Sequence, residues 1–217
     1  NIGGLMTSGP EDAIYDSFLE KTITEPGHSK ARTFGYSLAN SVIDAFNENS
    51  FVPSPDPTIT FSALEVELGI ENFMLSLGTL LGVVDSSPKF HLTPPFIRYL
   101  SEVAFIQLGD ATITGIPGEL YPEIAVGGIE SPKGADFAIE PQEVPPLRGQ
   151  LPGKLNLMVN LANDAIGYII PKSEWDKDAP WIYDEAEETY GEVVSLGPNT
   201  APIIHQTVIK LAEESKP

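Results

Sequence analysis

The chain contains no cysteine and only 12 Lys and Arg among its 217 residues. The first absence excludes disulfides, thiolate metal ligands and a cysteine nucleophile, and leaves the compartment open. The second limits the partners. Against 31 Asp and Glu the formal net charge is -19, and the few cations are scattered, Lys30 and Arg32 being the closest group. A nucleic-acid backbone needs a basic stripe to hold it, so nucleic acid is excluded as a partner. Long apolar runs are missing too. The richest, Phe73 to Val84, is interrupted by Ser76, Gly78, Thr79 and Gly82, and it falls short of the ~20 residues of a membrane span. No transmembrane segment is expected. Histidine is scarce: His28 sits in a Pro-Gly turn, His91 between Phe90 and Pro94, and His205 near the end. No H-x-x-x-H or H-x-E pair exists, so a self-contained zinc site is absent. Each histidine alone reads as structural or exposed. Nucleophile elbow, P-loop and dinucleotide fingerprint are all lacking. Spacing by itself names no enzyme.

What is present describes a globule. Apolar residues make up 41% and charged ones 20%, enough to build a real core in one domain or most of one. The acid excess reads as solubility and a carboxylate-rich surface, or as adaptation to a salt- or calcium-rich setting. The chain opens on Asn1-Ile2-Gly3-Gly4 with no initiator Met and no secretory signal, as expected of a processed product or a fragment.

Periodicity places the elements. Residues 1–11 read as a Gly-rich loop. Phe34, Leu38, Val42 and Phe46 recur every four residues, a helical stripe with Ser29 as its N-cap. Pro53, Pro55 and Pro57 enforce an extended connection. Thr58 to Leu68 alternates as a strand, with a shift of phase near Ala63 that suggests a bulge. Phe73, Leu77, Leu80 and Leu81 have helical spacing. Val103 to Leu108 and Ala111 to Ile116 flank Gly109-Asp110 as a tight hairpin. A helix starts between Leu120 and Val126, and residues 127–153, rich in Gly, Pro and charge, form a long surface excursion. Leu155 to Leu161 reads as a buried strand and Gly167 to Ile170 as a short one. A final helix runs from about Ala201 to Glu214, capped by Thr200 with Pro202 in its first turn. Strands alternate with helices, so the fold class is α/β or α+β, a mixed sheet flanked by helices.

Two positions stand out for chemistry. Glu119 follows Pro117-Gly118 at the end of a strand, and Tyr168 follows Gly167. A side chain at such a break faces the crevice where α/β folds bind ligands. Glu119 suits a divalent cation or a general base, or it satisfies the first turn of the following helix. Tyr168 can polarise a carbonyl or ligate metal, or it is a half-buried core tyrosine. Asn163 and Asp164 read as turn chemistry. Trp175, Trp181 and Tyr183 either floor a pocket for an apolar or acyl substrate or cover the core.

Four segments carry a resemblance over most of the chain. They are Leu108-Gly109-Asp110-Ala111 with Ile116-Pro117-Gly118-Glu119, Leu161-Ala162-Asn163-Asp164-Ala165-Ile166-Gly167-Tyr168, Tyr190-Gly191-Glu192, and Gly197-Pro198-Asn199-Thr200. In order and spacing they resemble the neutral/alkaline non-lysosomal ceramidase family, closest to its shorter prokaryotic members. The family's enzymes are zinc-dependent amide hydrolases that cleave the N-acyl bond of ceramide. The resemblance places Glu119 on the family's zinc-binding Glu. It places Tyr168 on a Tyr of the Asn-containing motif that approaches the same metal, while that motif's earlier Tyr is Ala165 here.

The family's histidine ligands lie upstream of everything in this chain. The resemblance therefore implies the C-terminal portion of a catalytic domain, residues 1–217, without an immunoglobulin-like C-terminal domain. Zinc would be shared with histidines of a complementary N-terminal chain or segment. At the start, Asn1 to Thr7 is similar to the family's serine-bearing segment, but Met6 occupies the serine position. Met cannot attack a carbonyl, and its neighbour Thr7 is the remaining hydroxyl candidate beside Ser8. A zinc-activated water is then the expected nucleophile. The substrate implied is ceramide-like or another N-acyl, lipid-like small molecule, in a secreted or periplasmic setting. Two rivals stand beside this reading: a non-catalytic member that binds a ligand or partner through the same crevice, and a hydrolase of a lactone or ester.

Overall fold

A computed structural model describes residues 13–48, 58–84, 88–186 and 190–215. The prolines at 53, 55 and 57, the opening loop, and Met6, Thr7 and Ser8 lie outside the described residues. The chain divides into two compact units, with residues 13–48 in one and residues 58–215 in the other.

In the first unit, β1 (Ile14–Asp16) pairs antiparallel with β2 (Lys21–Ile23), followed by α1 (His28–Asn47). Asp16 ties them together. Its carboxylate accepts the backbone N–H of Phe18 at 2.9 Å and of Leu19 at 2.8 Å, and also the Thr33 hydroxyl. The Thr33 hydroxyl, then the Leu19 N–H, hold its carboxyl below the usual range. The hairpin has no signature in the apolar pattern because its strands are only three residues each. Helix α1 starts one residue earlier than Ser29 and takes Gly27 as N-cap with no side-chain bond. Ser29 instead gives its carbonyl to the Thr33 hydroxyl. The stripe Phe34, Leu38, Val42 and Phe46 is exposed, and the buried residues of α1 are Lys30 and Thr33.

The second unit is built on a five-stranded mixed sheet, confirming the expected class. Its order is β3 (Ile59–Gly69), β5 (Ile97–Leu108), β6 (Ala111–Gly115), β8 (Leu155–Val159), with the short β4 (Lys89–Phe90) also on β5. All pairs are antiparallel except β6–β8. Gly109, at φ +55°, makes the tight β5–β6 turn, and Leu108 faces Ala111 across it. Strand β5 begins six residues before the expected Val103, because its first half is partly polar and pairs with β3 and β4.

No bulge interrupts β3. Its register runs unbroken from Ile59 opposite Leu108 to Gly69 opposite Arg98. The change of phase near Ala63 is a change of face. Val66 and Leu68 point into the core with Val103 and Phe105, under α5 (Thr200–Glu214) and its Ile204, Val208 and Leu211. Each such side chain contributes roughly 1.5–3 kcal/mol when fully buried. Ile59 and Phe61 lie on the opposite face. That face continues through Leu108 to Leu155, Leu157 and Val159, all six exposed. The strand at 155 is therefore buried on one side only, through Met158.

Helix α5 begins at Thr200 behind Asn199, so Thr200 is its first residue rather than its cap. Helix α2 (Phe73–Leu80) has a true cap in Asn72, whose Oδ1 accepts from Met74 and Leu75 while Nδ2 donates to the carbonyls of Val193 and Ser195. Asn72→Ala is expected to cost about 1–2 kcal/mol, a cap plus a tertiary clip, read as a lower urea midpoint. The excursion at 127–153 is irregular as expected but not all surface, since Glu143 and Leu147 are fully buried. No described helix is long and apolar enough to cross a membrane.

Candidate functional site

Beyond Gly115 the parallel pairing of β6 with β8 breaks and then resumes. Ile116 donates to the Val159 carbonyl, then Ala162 returns to Ile116, Ile166 to Pro117, and Leu161 to Gly118. Residues 160–167 loop out of the ladder, with Leu161, Asn163 and Gly167 at positive φ of 53°, 69° and 89°. Pairing resumes as β7 (Glu119–Leu120) beside β9 (Tyr168–Ile169), and Glu119 stands directly opposite Tyr168. The two residues separated by 49 positions in sequence are thus neighbours across one parallel pair.

Two glycines permit this approach. A Cβ on Gly118 would lie 2.5 Å from the Gly167 carbonyl oxygen, and one on Gly167 would lie 1.9 Å from that of Val194. Pro117 donates nothing at the crossing, and its carbonyl is used by Ile166.

Aromatic rings surround the pair. The Tyr168 ring meets Tyr121 edge-on at 6.1 Å and Tyr190, on α4 (Tyr190–Val193), at 5.9 Å. Burial first, then the Glu119 carboxylate and Tyr190, push the Tyr168 phenol above its usual range. Burial pushes Tyr121 up to about 12, with Glu192, Tyr168, Glu123 and Glu174 adding to it. Ser195 Oγ fixes the backbone behind, 2.8 Å from the carbonyls of both Tyr168 and Gly191. Sequence reasoning does not single out Tyr121 or Tyr190. The signal for Tyr121 is its place two residues after Glu119, hence on the same side of an extended chain. Tyr190 lies within the Tyr190-Gly191-Glu192 segment of the resemblance.

Other candidates are placed apart. Asp164 is a structural acid, accepting Tyr99 OH at 3.0 Å, Ser101 Oγ at 2.8 Å and the Ala165 N–H. Asn163 donates to Glu102 at 3.1 Å. His205 is buried on α5 with Nε2 2.9 Å from the Pro145 carbonyl, His91 pairs with Glu67 at 3.2 Å, and His28 is exposed at the start of α1. The histidines therefore take the structural or exposed roles expected of them. Trp175 is buried, whereas Tyr183 is exposed with its hydroxyl on Glu130. Trp175 borders a cavity of about 320 Å³ with Asp136, Phe137 and Glu192, and a cavity of about 580 Å³ lies between Glu71, Phe96 and Asn199. Glu119 and Tyr168 line neither. Among the described residues no three His, Cys, Asp or Glu side chains converge so as to hold a metal. Glu119 and Tyr168 offer one carboxylate and one phenol side by side.

No family model and no curated protein matches this sequence. Among solved structures, the chain is similar to the crystal structure of neutral ceramidase from Pseudomonas aeruginosa, with a TM-score of 0.37 and 11% identity over 71% of this chain and 29% of that one. The chain spans less than a third of that protein's length. A likeness of this strength is a distant one and assigns neither activity nor site residues.

Proposed function

We propose that this chain carries part of the site of a zinc-dependent hydrolase that cleaves the amide bond of a ceramide-like or other N-acyl substrate. The observation that carries the reading is the pairing of Glu119 with Tyr168 across β7 and β9, inside a wall of Tyr121 and Tyr190. The order of motifs around both residues supports it. Glu119 would hold the zinc through its carboxylate, and the Tyr168 phenol would approach it. The donor set fits in chemistry and falls short in number, so histidines from a complementary N-terminal chain or segment complete it. Bound zinc polarises a carbonyl and lowers the pKa of its water to roughly 7. The chain's own residues bind and orient. A phenol held neutral beside a carboxylate donates a hydrogen bond, and the two flanking rings offer apolar contact to an acyl chain.

The sheet supports the need for a complementary polypeptide. Its face with Phe61, Leu108, Leu155, Leu157 and Val159 is exposed, although strands this apolar on both faces belong between two layers. Glu65 and Glu102, which oppose each other across β3 and β5, are already met by Lys89 at 3.4 Å and by Asn163 at 3.1 Å. A layer with an apolar centre complements the exposed face. The test is metal analysis of the assembly that contains this chain and its N-terminal partner, together with turnover of a panel of N-acyl amides, esters and lactones. About one zinc per assembly and preference for amides are expected. An assembly that holds no zinc and hydrolyses nothing is a binding protein, and the proposal fails; preference for a lactone or ester keeps the metal and changes the bond.

A further inference from the structure

Three carboxylates from separate stretches act on a fourth, Glu174, behind Tyr121. Glu123 lies on α3 (Pro122–Val126), Glu130 just beyond it, Glu143 within the excursion, and Glu174 in the 3-10 turn Lys172–Glu174. Their bonds stitch the excursion to the segment after β9. The Glu130 N–H donates to Glu174 Oε1 at 2.6 Å, and its carbonyl accepts Ser173 Oγ at 2.7 Å. Glu130 Oε2 accepts the Tyr183 hydroxyl at 2.6 Å, and Glu143 Oε1 accepts the Lys172 N–H at 3.2 Å. The remaining oxygens are the anomaly. Glu143 is 0% exposed, yet its Oε2 has no hydrogen-bond partner, and Glu123 Oε2 is likewise buried without one. Buried carboxylate oxygens normally have a donor. The Lys172 ammonium does not serve here: it is 2.8 Å from Asn199 Oδ1 and 5.2 Å above the Phe137 ring.

We propose that this cluster is a proton-operated latch: a proton held by Glu174 fastens the excursion at 127–153 against residues 171–184, and losing that proton in alkaline solution loosens the seam. Like charges crowded where water is excluded do not all ionise. The groups facing Glu174 are almost all acidic: Glu123 from α3, Glu130 and Glu143 from the excursion, with the phenols of Tyr121 and Tyr183 beyond. Burial foremost, then those three glutamates against the Glu130 N–H, push its carboxyl up to about 7. Tyr183, raised to about 12 chiefly by its bond to Glu130, stays neutral. Between the ordinary glutamate value of 4.5 and about 7 the folded chain binds more protons than the unfolded one. The latch is therefore fully closed below that window and lost as pH rises through about 7. A metal ion is the rival occupant, but no three described ligand side chains converge on a point for one.

The latch stands whether or not Glu119 holds zinc, because it is read without substrate. Hydrogen–deuterium exchange of the full chain should show protection factors for amides around Glu130 falling roughly tenfold from about pH 5.5 to about pH 8.5. Glu174→Gln, neutral with a donor at every pH, should flatten that profile at the protected level. Tyr183→Phe should lower protection at all pH values and keep the slope. Constant wild-type protection across the range overturns the latch, as does a Glu174→Gln profile matching the wild type. Recovery of protection by millimolar calcium at the alkaline end also overturns it, in favour of a cation site.

Discussion

Gly167→Ala is expected to destabilise the second unit by roughly 3–5 kcal/mol, near the upper end for a single substitution. Two effects add. Gly167 sits at φ +89°, a conformation costing a residue with a Cβ about 1–3 kcal/mol. The new Cβ would also lie 1.9 Å from the Val194 carbonyl oxygen and 3.0 Å from its carbon. Neither is the movable end of a side chain. Val194 is set by its N–H bond to the Gly191 carbonyl, and Ser195 next to it clamps the Tyr168 carbonyl. Relief would require β9 to leave β7 and would carry Tyr168 away from Glu119. Gly35, inside α1 with nothing within 4 Å of where a Cβ would stand, serves as the opposite control: Gly35→Ala should stabilise its helix by about 0.5–1 kcal/mol. Urea midpoints for the two variants should move in opposite directions. A Gly167→Ala midpoint equal to wild type would show that the β7–β9 approach is not as tight as described.

If the proposed function holds, Glu119→Gln is expected to lower zinc content and hydrolysis together in the assembly, by well over 10²-fold in turnover. Removing a partner of a metal ligand already costs roughly 10–100-fold, so removing the ligand's charge must cost more. The substitution keeps shape, and the bond from residue 119 into the ladder is made by its backbone N–H to Gly167 at 2.9 Å, so the fold should be unaffected. Tyr168→Phe is the graded companion. It keeps both ring contacts, removes only the hydroxyl, and should lower turnover less than Glu119→Gln while leaving most of the zinc. Normal zinc and normal turnover in Glu119→Gln would sink the proposed function, and a larger loss in Tyr168→Phe would reverse the order of the two roles.

Local rules suffice wherever an element is long and its neighbours in space are its neighbours in sequence. The β5–β6 hairpin around Gly109-Asp110 is such a case, and so are the helices around Leu38 and Ile204. They fail where a residue's surroundings come from far away. Ser29 and Thr200 look like caps, but the caps are Gly27, two residues sooner, and Asn199, one residue sooner. The phase change in β3 mimics a bulge because alternation records which side is apolar, and the apolar residues of its two halves lie on opposite faces, Val66 and Leu68 in the core and Ile59 and Phe61 exposed. Glu143 reads as surface in a loop rich in Gly, Pro and charge, and no local signal shows that the chain folds over it.

The candidate site divides in the same way. Sequence by itself determined that Glu119 and Tyr168 each stand at a Gly-marked break, because backbone conformation there is a property of adjacent residues. It also determined the acidic balance and the lack of cysteine ligands. Only the tertiary structure decided that the two breaks are one place. Parallel strands have no tight turn between them, so their pairing, register and ring contacts depend on a ladder that closes across 49 residues and on two glycines that let the backbones touch.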